Sequence, residues 1–269
     1  MSMLRRAAPL VALLLLAAVT SYAQNKEEPR FSILETQAAQ EDPQAYTLDE
    51  GSVRIQNLGP AAKSDGTMRV LDIGDGGADP FVIIDKIINL GQKIWSIIEA
   101  NKPVVNIQTQ YGTATPQGIT HWSQLAGWKP PEGTVYGFSA KNAYGIKVVD
   151  VKYQVLRTYG GSYNGKGKYL TAVTIQPLTV DVLWGYKFNL SVEIPDSSIV
   201  NVGTAQDPVA AMQPLVKWTI ATAIKSSDGR STYYVQGDGL FKELGGPFAQ
   251  NYQDGVAKAI DNAVKYSFQ

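Results

Sequence analysis

Alternation of apolar and polar residues dominates the middle of the chain, and its period of two predicts β-strands. In the stretch LTVDVLWGYKFNLSVEI every even position from Leu178 to Ile194 is apolar, whereas most odd positions are polar. Because Gly185 does not disturb this parity, we predict one long strand over residues 178–194 that bends at the glycine. Such a strand spans roughly 56 Å at 3.3 Å per residue, so its sheet must be large and curved.

Two hairpins are predicted on either side of this strand. Asp228 and Gly229 form a type I′ turn signal, and pairing around them sets Trp218 opposite Gly239 on one apolar face. A further hairpin is predicted where two β-rich segments flank the loop GGSYNGKG at residues 160–167. Both hairpins are antiparallel, so the sheet is expected to be antiparallel as well.

Two amphipathic helices are predicted outside the strand-rich region. Over residues 83–99, polar side chains fall on one arc and apolar side chains on the opposite half at about 100° per residue. Asp79 and Pro80 suit the N-terminus of this helix. A second helix is predicted over residues 248–266. The predicted fold class is therefore α+β, a large curved antiparallel β-sheet, half-barrel or sandwich-like, covered by two amphipathic helices.

The N-terminal residues have the three parts of a secretory signal. Arg5 and Arg6 precede an apolar run, and small residues lead to a cleavage position at Ala23. We therefore expect residues 1–23 to be a signal peptide and the mature protein to be periplasmic or extracellular. Residues 24–67 are acidic and lack a sustained period, which predicts a flexible leader in which SVRIQNL could pair as a strand. Residues 68–269 are expected to form a single α+β domain.

Composition narrows the chemistry that is available to this chain. It has no Cys, so it has no disulfides, no thiol catalysis and no Cys-based metal site. The 24 basic and 24 acidic residues balance to a net charge of zero, and nothing points to nucleic acid as a partner. A single His excludes a multi-histidine metal site.

The stretch VLDIGDGG resembles the first motif of S-adenosylmethionine-dependent methyltransferases through Asp72, Gly74 and Gly76, although Ala78 replaces a later glycine of that motif. The resemblance implies repeated strand–helix alternation, which the antiparallel pattern downstream does not follow. We therefore predict no cofactor, and we interpret the stretch as a turn.

Acidic residues in the same stretch raise the question of a calcium site. Asp72, Asp75 and Asp79 do not have the alternating ligand spacing of an EF-hand. They are interpreted as solvated turn residues, and no metal ligand is predicted.

No catalytic residue is predicted. The only histidine, His121, is expected to be structural or at the surface. Ser162 in GGSYN lacks the final glycine of a nucleophile elbow, and Ser139 and Lys141 are two apart where a Ser–x–x–Lys motif needs three. A pair of carboxylates could still support hydrolysis, but the sequence does not single one out.

Aromatic residues near glycine-rich and polar segments are the candidate binding residues. Tyr159, Tyr163 and Tyr169 surround the loop at residues 160–167, and Trp122 and Trp128 bracket another polar segment. Tyr and Trp combine an apolar body with a polar tip, which suits both glycans and membrane interfaces.

Taken together, these patterns favour an exported non-enzymatic protein of the cell envelope that binds a hydrophobic ligand, a glycan or another envelope component. One alternative is a secreted membrane-active protein, pore-forming or surface-binding, in which residues 79–101 insert at the lipid surface. A carboxylate-based hydrolase is a second alternative. Oligomeric state stays open.

Overall fold

The computed structural model describes residues 31–61, 81–104 and 110–245. These residues are mostly β, with 60% strand and 8% helix, and they include a curled antiparallel half-barrel sheet. The prediction of a curved antiparallel sheet is therefore confirmed. The prediction of two covering amphipathic helices is not borne out, because the structure has one α-helix, α1 (Ile33–Glu41), in the part of the chain that it describes.

The strands form a sheet of six and a sheet of eight. In chain order they are β1 (Leu48–Pro60), β2 (Ile83–Ile88), β3 (Ile94–Glu99), β4 (Lys102–Pro103), β5 (Gly112–Gln117), β6 (Glu132–Asn142), β7 (Lys147–Tyr163), β8 (Lys166–Val182), β9 (Lys187–Glu193), β10 (Val200–Asn201), β11 (Ala210–Met212), β12 (Leu215–Ala221), β13 (Ser226–Gln236) and β14 (Phe241–Gly245). The first sheet has the order β1-β6-β7-β8-β5-β2. The second has the order β10-β11-β13-β12-β9-β3-β4, with β14 on β13. Short 3₁₀ turns at Trp122–Gln124 and Asp196–Ser198 complete the regular structure.

The hydrophobic core lies between the inner faces of the two sheets. The ring of Phe138 on β6 lies 4.9 Å from that of Phe188 on β9 and 5.4 Å from that of Trp218 on β12, measured between centroids. All three side chains are buried. Aromatic residues from both layers therefore interdigitate, as in face-to-face packing of two sheets.

The predicted single strand over residues 178–194 is wrong. Strand β8 ends at Val182 in the first sheet and β9 begins at Lys187 in the second, so the chain changes sheets between them. Gly185 has a φ of +81°, a conformation that favours glycine, in this crossover. Even-numbered positions stay apolar on both sides of the break, but these side chains have different environments in the two strands. Leu178 and Trp184 are exposed, whereas the apolar residues of β9 face the core.

The predicted helix over residues 83–99 is also wrong. This segment forms β2, which pairs with β5 in the first sheet, and β3, which pairs with β9 in the second. The segment is rich in isoleucine, whose β-branched side chain fits a pleated sheet well. Two short strands with a break between them produce an apolar spacing that resembles a helical period.

The prediction of a flexible leader fails for residues 33–60. Helix α1 has a capping box, in which Ser32 and Glu35 satisfy each other's backbone N–H groups. Strand β1 pairs with β6, as expected for SVRIQNL, and buries Val53 and Ile55 in the core. Burial of these two apolar residues explains why the segment is ordered. The predicted signal peptide, the glycine-rich stretch at residues 68–78 and the predicted helix at 248–266 lie outside the described residues.

Both predicted hairpins pair the expected segments, with corrections to their turns. Strands β7 and β8 meet at a two-residue turn in which Asn164 and Gly165 have φ values of +49° and +77°, as a type I′ turn requires. Most of the predicted loop is therefore strand. Strands β12 and β13 turn at residues 222–225, and Trp218 lies opposite Gly229. The predicted Asp228-Gly229 turn is therefore wrong, although a Trp does cover a Gly.

Candidate functional site

Tyr169, one of the five predicted binding residues, lies in the core. Its side chain is fully buried, and its hydroxyl donates a hydrogen bond of 2.8 Å to the carbonyl oxygen of Ile84. The hydroxyl ties β8 to β2 across the first sheet. Tyr163 is half-buried at the tip of the β7–β8 hairpin, where it pairs with Lys166.

The structure brings the other three predicted residues together at one end of β7. Trp128 is half-buried and its ring lies on Gly161, while its Nε1 donates to the carbonyl oxygen of Trp122 at 3.2 Å. The backbone N–H of Lys129 donates to the carbonyl oxygen of Tyr159 at 2.9 Å. These contacts hold Trp122, Trp128 and Tyr159 on adjacent segments at the same end of β7.

A charged pair that the sequence did not predict, Glu132 and Arg157, lies at the same end of β7. The carboxylate of Glu132 accepts a hydrogen bond of 2.6 Å from the Tyr159 hydroxyl and one of 3.0 Å from Nη2 of Arg157. The side chain of Glu132 is 48% exposed, whereas that of Arg157 is 9% exposed. The carboxylate is therefore fixed in orientation and still open to solvent. We call Trp122, Trp128, Glu132, Arg157 and Tyr159 the rim site.

Arg157 is held from three sides. Besides the contact to Glu132, its Nη1 donates to Thr134 Oγ1 at 3.2 Å, and its guanidinium carbon lies 4.3 Å from the ring centroid of Phe241. Burial lowers the pKa of Arg157, and the negative charge of Glu132 opposes that effect. A guanidinium stays protonated in proteins, so it acts here as a fixed positive charge under the rim.

A cluster of three buried tyrosines lies next to Arg157, deeper in the core. The hydroxyls of Tyr153 and Tyr233 are 2.7 Å apart and hydrogen-bonded. The ring of Tyr136 is 4.9 Å from that of Tyr233, and its buried hydroxyl has no hydrogen-bond partner among the described residues. Burial raises the pKa of all three hydroxyls and that of Glu243 on β14, so these groups favour their neutral forms.

His121 has a local structural role. Its Nδ1 lies 2.6 Å from Ser123 Oγ and accepts a hydrogen bond of 3.3 Å from the Ser123 backbone N–H. Together with Gln124, it caps the 3₁₀ turn that begins at Trp122. This arrangement is typical of a capping motif, and it agrees with the structural role expected from the sequence.

A second surface of interest lies at the opposite end of β6 and β7. Large apolar side chains on two adjacent connections are 48% to 55% exposed there. The Leu183 N–H donates a hydrogen bond of 2.9 Å to the carbonyl oxygen of Val148, at the start of β7 and next to the other connection. The Tyr46 ring contacts Trp184 edge-on, with ring centroids 6.3 Å apart. We call this surface, formed by Tyr144, Ile146, Leu183 and Trp184, the apolar end.

No group of three or more His, Asp or Glu residues in the described part of the chain is placed to hold a metal ion. Within residues 31–61, 81–104 and 110–245, no helix has the length and apolar character needed to cross a membrane.

Sequence patterns located the aromatic residues of the rim site but not its charged pair. Glu132 and Arg157 face each other only through the pairing of β6 with β7. The one signal for them is that register, which places the two residues directly opposite each other.

Comparison with protein-family models, with curated proteins and with solved structures gave no match for this chain.

Proposed function

We propose that this protein is an exported, non-enzymatic component of the cell envelope that binds a glycan at the rim site. The observation that carries this proposal is the half-exposed carboxylate of Glu132, which Arg157 and Tyr159 hold in one orientation. The half-buried ring of Trp128 lies on the same edge. A fixed acceptor beside aromatic rings is the combination that recognises sugars.

The chemistry of each group fits a sugar ligand. A carboxylate has about four lone-pair sites, so Glu132 can accept from ligand hydroxyls while it keeps its two protein partners. The faces of Trp and Tyr rings are apolar and can stack on the C–H face of a pyranose ring. Strands β6 and β7 position Glu132 and Tyr159, and Trp128 is held in the preceding connection by its contact with Gly161 and its hydrogen bond to Trp122. Little conformational entropy is therefore lost on binding.

Two features favour binding over hydrolysis at this site. Both oxygens of Glu132 already accept hydrogen bonds from protein donors, and the rim site holds no second carboxylate to act with it in hydrolysis. The His121–Ser123 contact belongs to a turn cap, in which Nδ1 already accepts a backbone N–H. Neither arrangement supplies an activated nucleophile.

The test is calorimetric titration of the purified mature protein with chito-, cello- and malto-oligosaccharides. We expect binding to at least one series, and we expect Glu132→Gln to weaken it by about tenfold or more, since a hydrogen bond to a charged group contributes about 1.5–3 kcal/mol. Glu99→Gln, an exposed glutamate on the other sheet, is the matched control and should bind like the natural protein. Absence of binding to all three series, or full affinity in Glu132→Gln, would contradict the proposal.

The apolar end favours contact with a lipid surface as a second candidate function. The membrane-active alternative relied on a helix at residues 79–101, but β2 and β3 occupy that segment and are paired within the sheets. Trp184, Tyr144 and their aliphatic neighbours supply a different apolar surface, of the composition found at membrane interfaces.

Co-sedimentation with liposomes of zwitterionic and anionic lipids tests this second candidate. We expect the natural protein to sediment with vesicles and the double variant Leu183→Ser, Trp184→Ser to remain in solution. Trp122→Ser, at the rim site, is the control for general loss of a tryptophan. Equal sedimentation of all three proteins would count against a role for the apolar end.

A further inference from the structure

We propose that β14 is a pH-controlled strap at the rim site, closed while Glu243 is protonated and loosened when Glu243 ionises. Among the residues that the structure describes, the strap is held on one side only. It pairs with β13 through Thr232↔Gly245, Tyr233↔Glu243, Tyr234↔Lys242 and Val235↔Phe241, and the register is irregular between the first two of these pairs. No other described strand pairs with β14. It is therefore an edge strand with few backbone hydrogen bonds to break.

The strap contacts the rim site through Phe241. Its ring stacks against that of Tyr233, with centroids 5.9 Å apart, and the Arg157 guanidinium carbon lies 4.3 Å from the centroid of the Phe241 ring. Arg157 in turn holds the carboxylate of Glu132. Movement of β14 would therefore uncover Arg157 and remove one of the three contacts that fix it.

Glu243 is the titratable group that links this strap to pH. Along β14, Phe241 and Glu243 are both half-buried, whereas the intervening Lys242 is exposed, so the carboxyl group points toward the core. It makes no hydrogen bond or ion pair with any described residue. A carboxylate in this position would be desolvated without a partner, which is unfavourable.

The groups that face Glu243 do not compensate its charge. They are the hydroxyls of Tyr136 on β6, Tyr153 on β7 and Tyr233 on β13, all of which stay neutral at physiological pH because burial raises the pKa of each. Arg157 on β7, whose guanidinium lies over Phe241 of the strap, is already paired with Glu132. Ionised Glu243, which is half-buried, therefore gains hydration if β14 moves outward.

The direction of the pH effect follows from the raised pKa of Glu243. Below the ordinary value of 4.5, the carboxyl is neutral whether the strap is closed or open, and closure carries no electrostatic penalty. As the pH rises from there to the raised pKa, the open state loses its proton first. The closing equilibrium then falls by up to about tenfold per pH unit. The strap is closed in acid and loosens toward neutral pH.

Hydrogen–deuterium exchange of the peptide that covers residues 239–245 tests the strap, with rates corrected for intrinsic exchange at each pH between 4.5 and 8. We expect protection in this peptide to fall as the pH rises, while the peptide that covers β12 keeps its protection. Glu243→Gln should remain protected across the whole range. Glu243→Leu is a second neutral variant, in case the amide disturbs packing, and it should behave in the same way.

Two results would overturn the strap. One is constant protection of β14 in the natural protein across the pH range. The other is the same loss of protection in both neutral variants as in the natural protein. The consequence for ligand binding rests on the proposed glycan function, but the exchange experiment uses no ligand. Failure to bind oligosaccharides would therefore leave the strap standing, and pH-independent exchange would remove it whatever the ligand.

Discussion

The three buried tyrosines next to the rim site differ in how well their hydroxyl groups are satisfied. Tyr153 and Tyr233 share a hydrogen bond of 2.7 Å, whereas the Tyr136 hydroxyl has no partner among the described residues. All three side chains are fully buried. An unsatisfied buried hydroxyl is destabilising, so the same chemical substitution should have opposite effects at different members of the cluster.

We expect Tyr233→Phe to lower the free energy of unfolding by about 1–3 kcal/mol, because it leaves the Tyr153 hydroxyl buried without a partner. Tyr136→Phe should leave the free energy of unfolding unchanged or raise it, since it removes a hydroxyl that has no partner to lose. Urea denaturation at pH 7 measures both. The double variant Tyr153→Phe, Tyr233→Phe should recover most of the stability. Equal losses in Tyr136→Phe and Tyr233→Phe would contradict this account.

Close packing at Gly229 gives another prediction for a single residue. A Cβ atom at this position would overlap the ring of Trp218, which is buried and cannot move aside. Gly229→Ala should therefore lower the free energy of unfolding by about 1–3 kcal/mol, as overpacking does. Gly51→Ala is the control, because its Cβ would meet only the flexible side chain of Asp49, at 3.3 Å. A loss no greater than that of the control would show that the register of β12 with β13 is different.

Among the elements, alternation of apolar residues was enough to find the hairpins but not their registers. A shift of the β12–β13 pairing by an even number of residues keeps every side chain on its face, so the pattern could not choose between Gly229 and Gly239 as the partner of Trp218. The same parity concealed the change of sheet at Gly185. Periodicity reports which face a residue occupies, but it does not report the neighbouring strand.

The rim site shows the same limit. Its aromatic members were predicted because they lie near glycine-rich segments, which is a local signal. Glu132 and Arg157 are brought together by the register of β6 with β7, which no local pattern encodes. The contact of Arg157 with Phe241 depends in addition on packing between the two sheets. Long-range pairing therefore determines the polar half of the site, and the sequence alone could not supply it.

The turn of the β7–β8 hairpin carries a prediction at the scale of the element. Gly165 has a φ of +77°, which is strained for residues with a Cβ, so Gly165→Ala should lower the free energy of unfolding by about 1 kcal/mol. Asn164→Gly, at a φ of +49°, keeps the type I′ geometry and should have a smaller effect. Urea denaturation of the two variants compares them. A larger loss for Asn164→Gly would be inconsistent with this turn.

For the molecule as a whole, the segment that follows α1 joins the two sheets. The carbonyl oxygen of Ala45 accepts a hydrogen bond of 3.1 Å from the Asn142 side chain of the first sheet. It also accepts one of 2.6 Å from the Tyr186 hydroxyl, next to β9 of the second sheet. Glu35 on α1 forms an ion pair with Lys187 of β9 at 3.6 Å. Loosening of α1 should therefore weaken the contact between both layers.

Glu35 makes this link sensitive to acid. The Ser32 backbone N–H, at 2.7 Å, is the main cause that holds the pKa of Glu35 below its ordinary value of 4.5. Burial opposes it, and the Ser32 hydroxyl and Lys187 lower the pKa further. Because the folded-state pKa is lowered, the stabilisation is present above pH 4.5 and is lost as the pH falls through the folded-state value. Glu243 acts in the opposite sense, since its burial becomes unfavourable only as the pH rises above 4.5.

We therefore expect Glu35→Gln to lower the free energy of unfolding at pH 7 by about 1–3 kcal/mol, through loss of charged hydrogen bonds at the helix cap. The difference from the natural protein should shrink as the pH falls below 4.5, because the carboxyl group of the unfolded natural protein is protonated first and the stabilisation by its charge is then lost. Urea denaturation at pH 7, 5, 4 and 3 measures this difference. Glu41→Gln, at the exposed C-terminal end of the same helix, serves as the control. A difference that stays constant down to pH 3 would mean that Glu35 does not couple α1 to the two sheets through its charge.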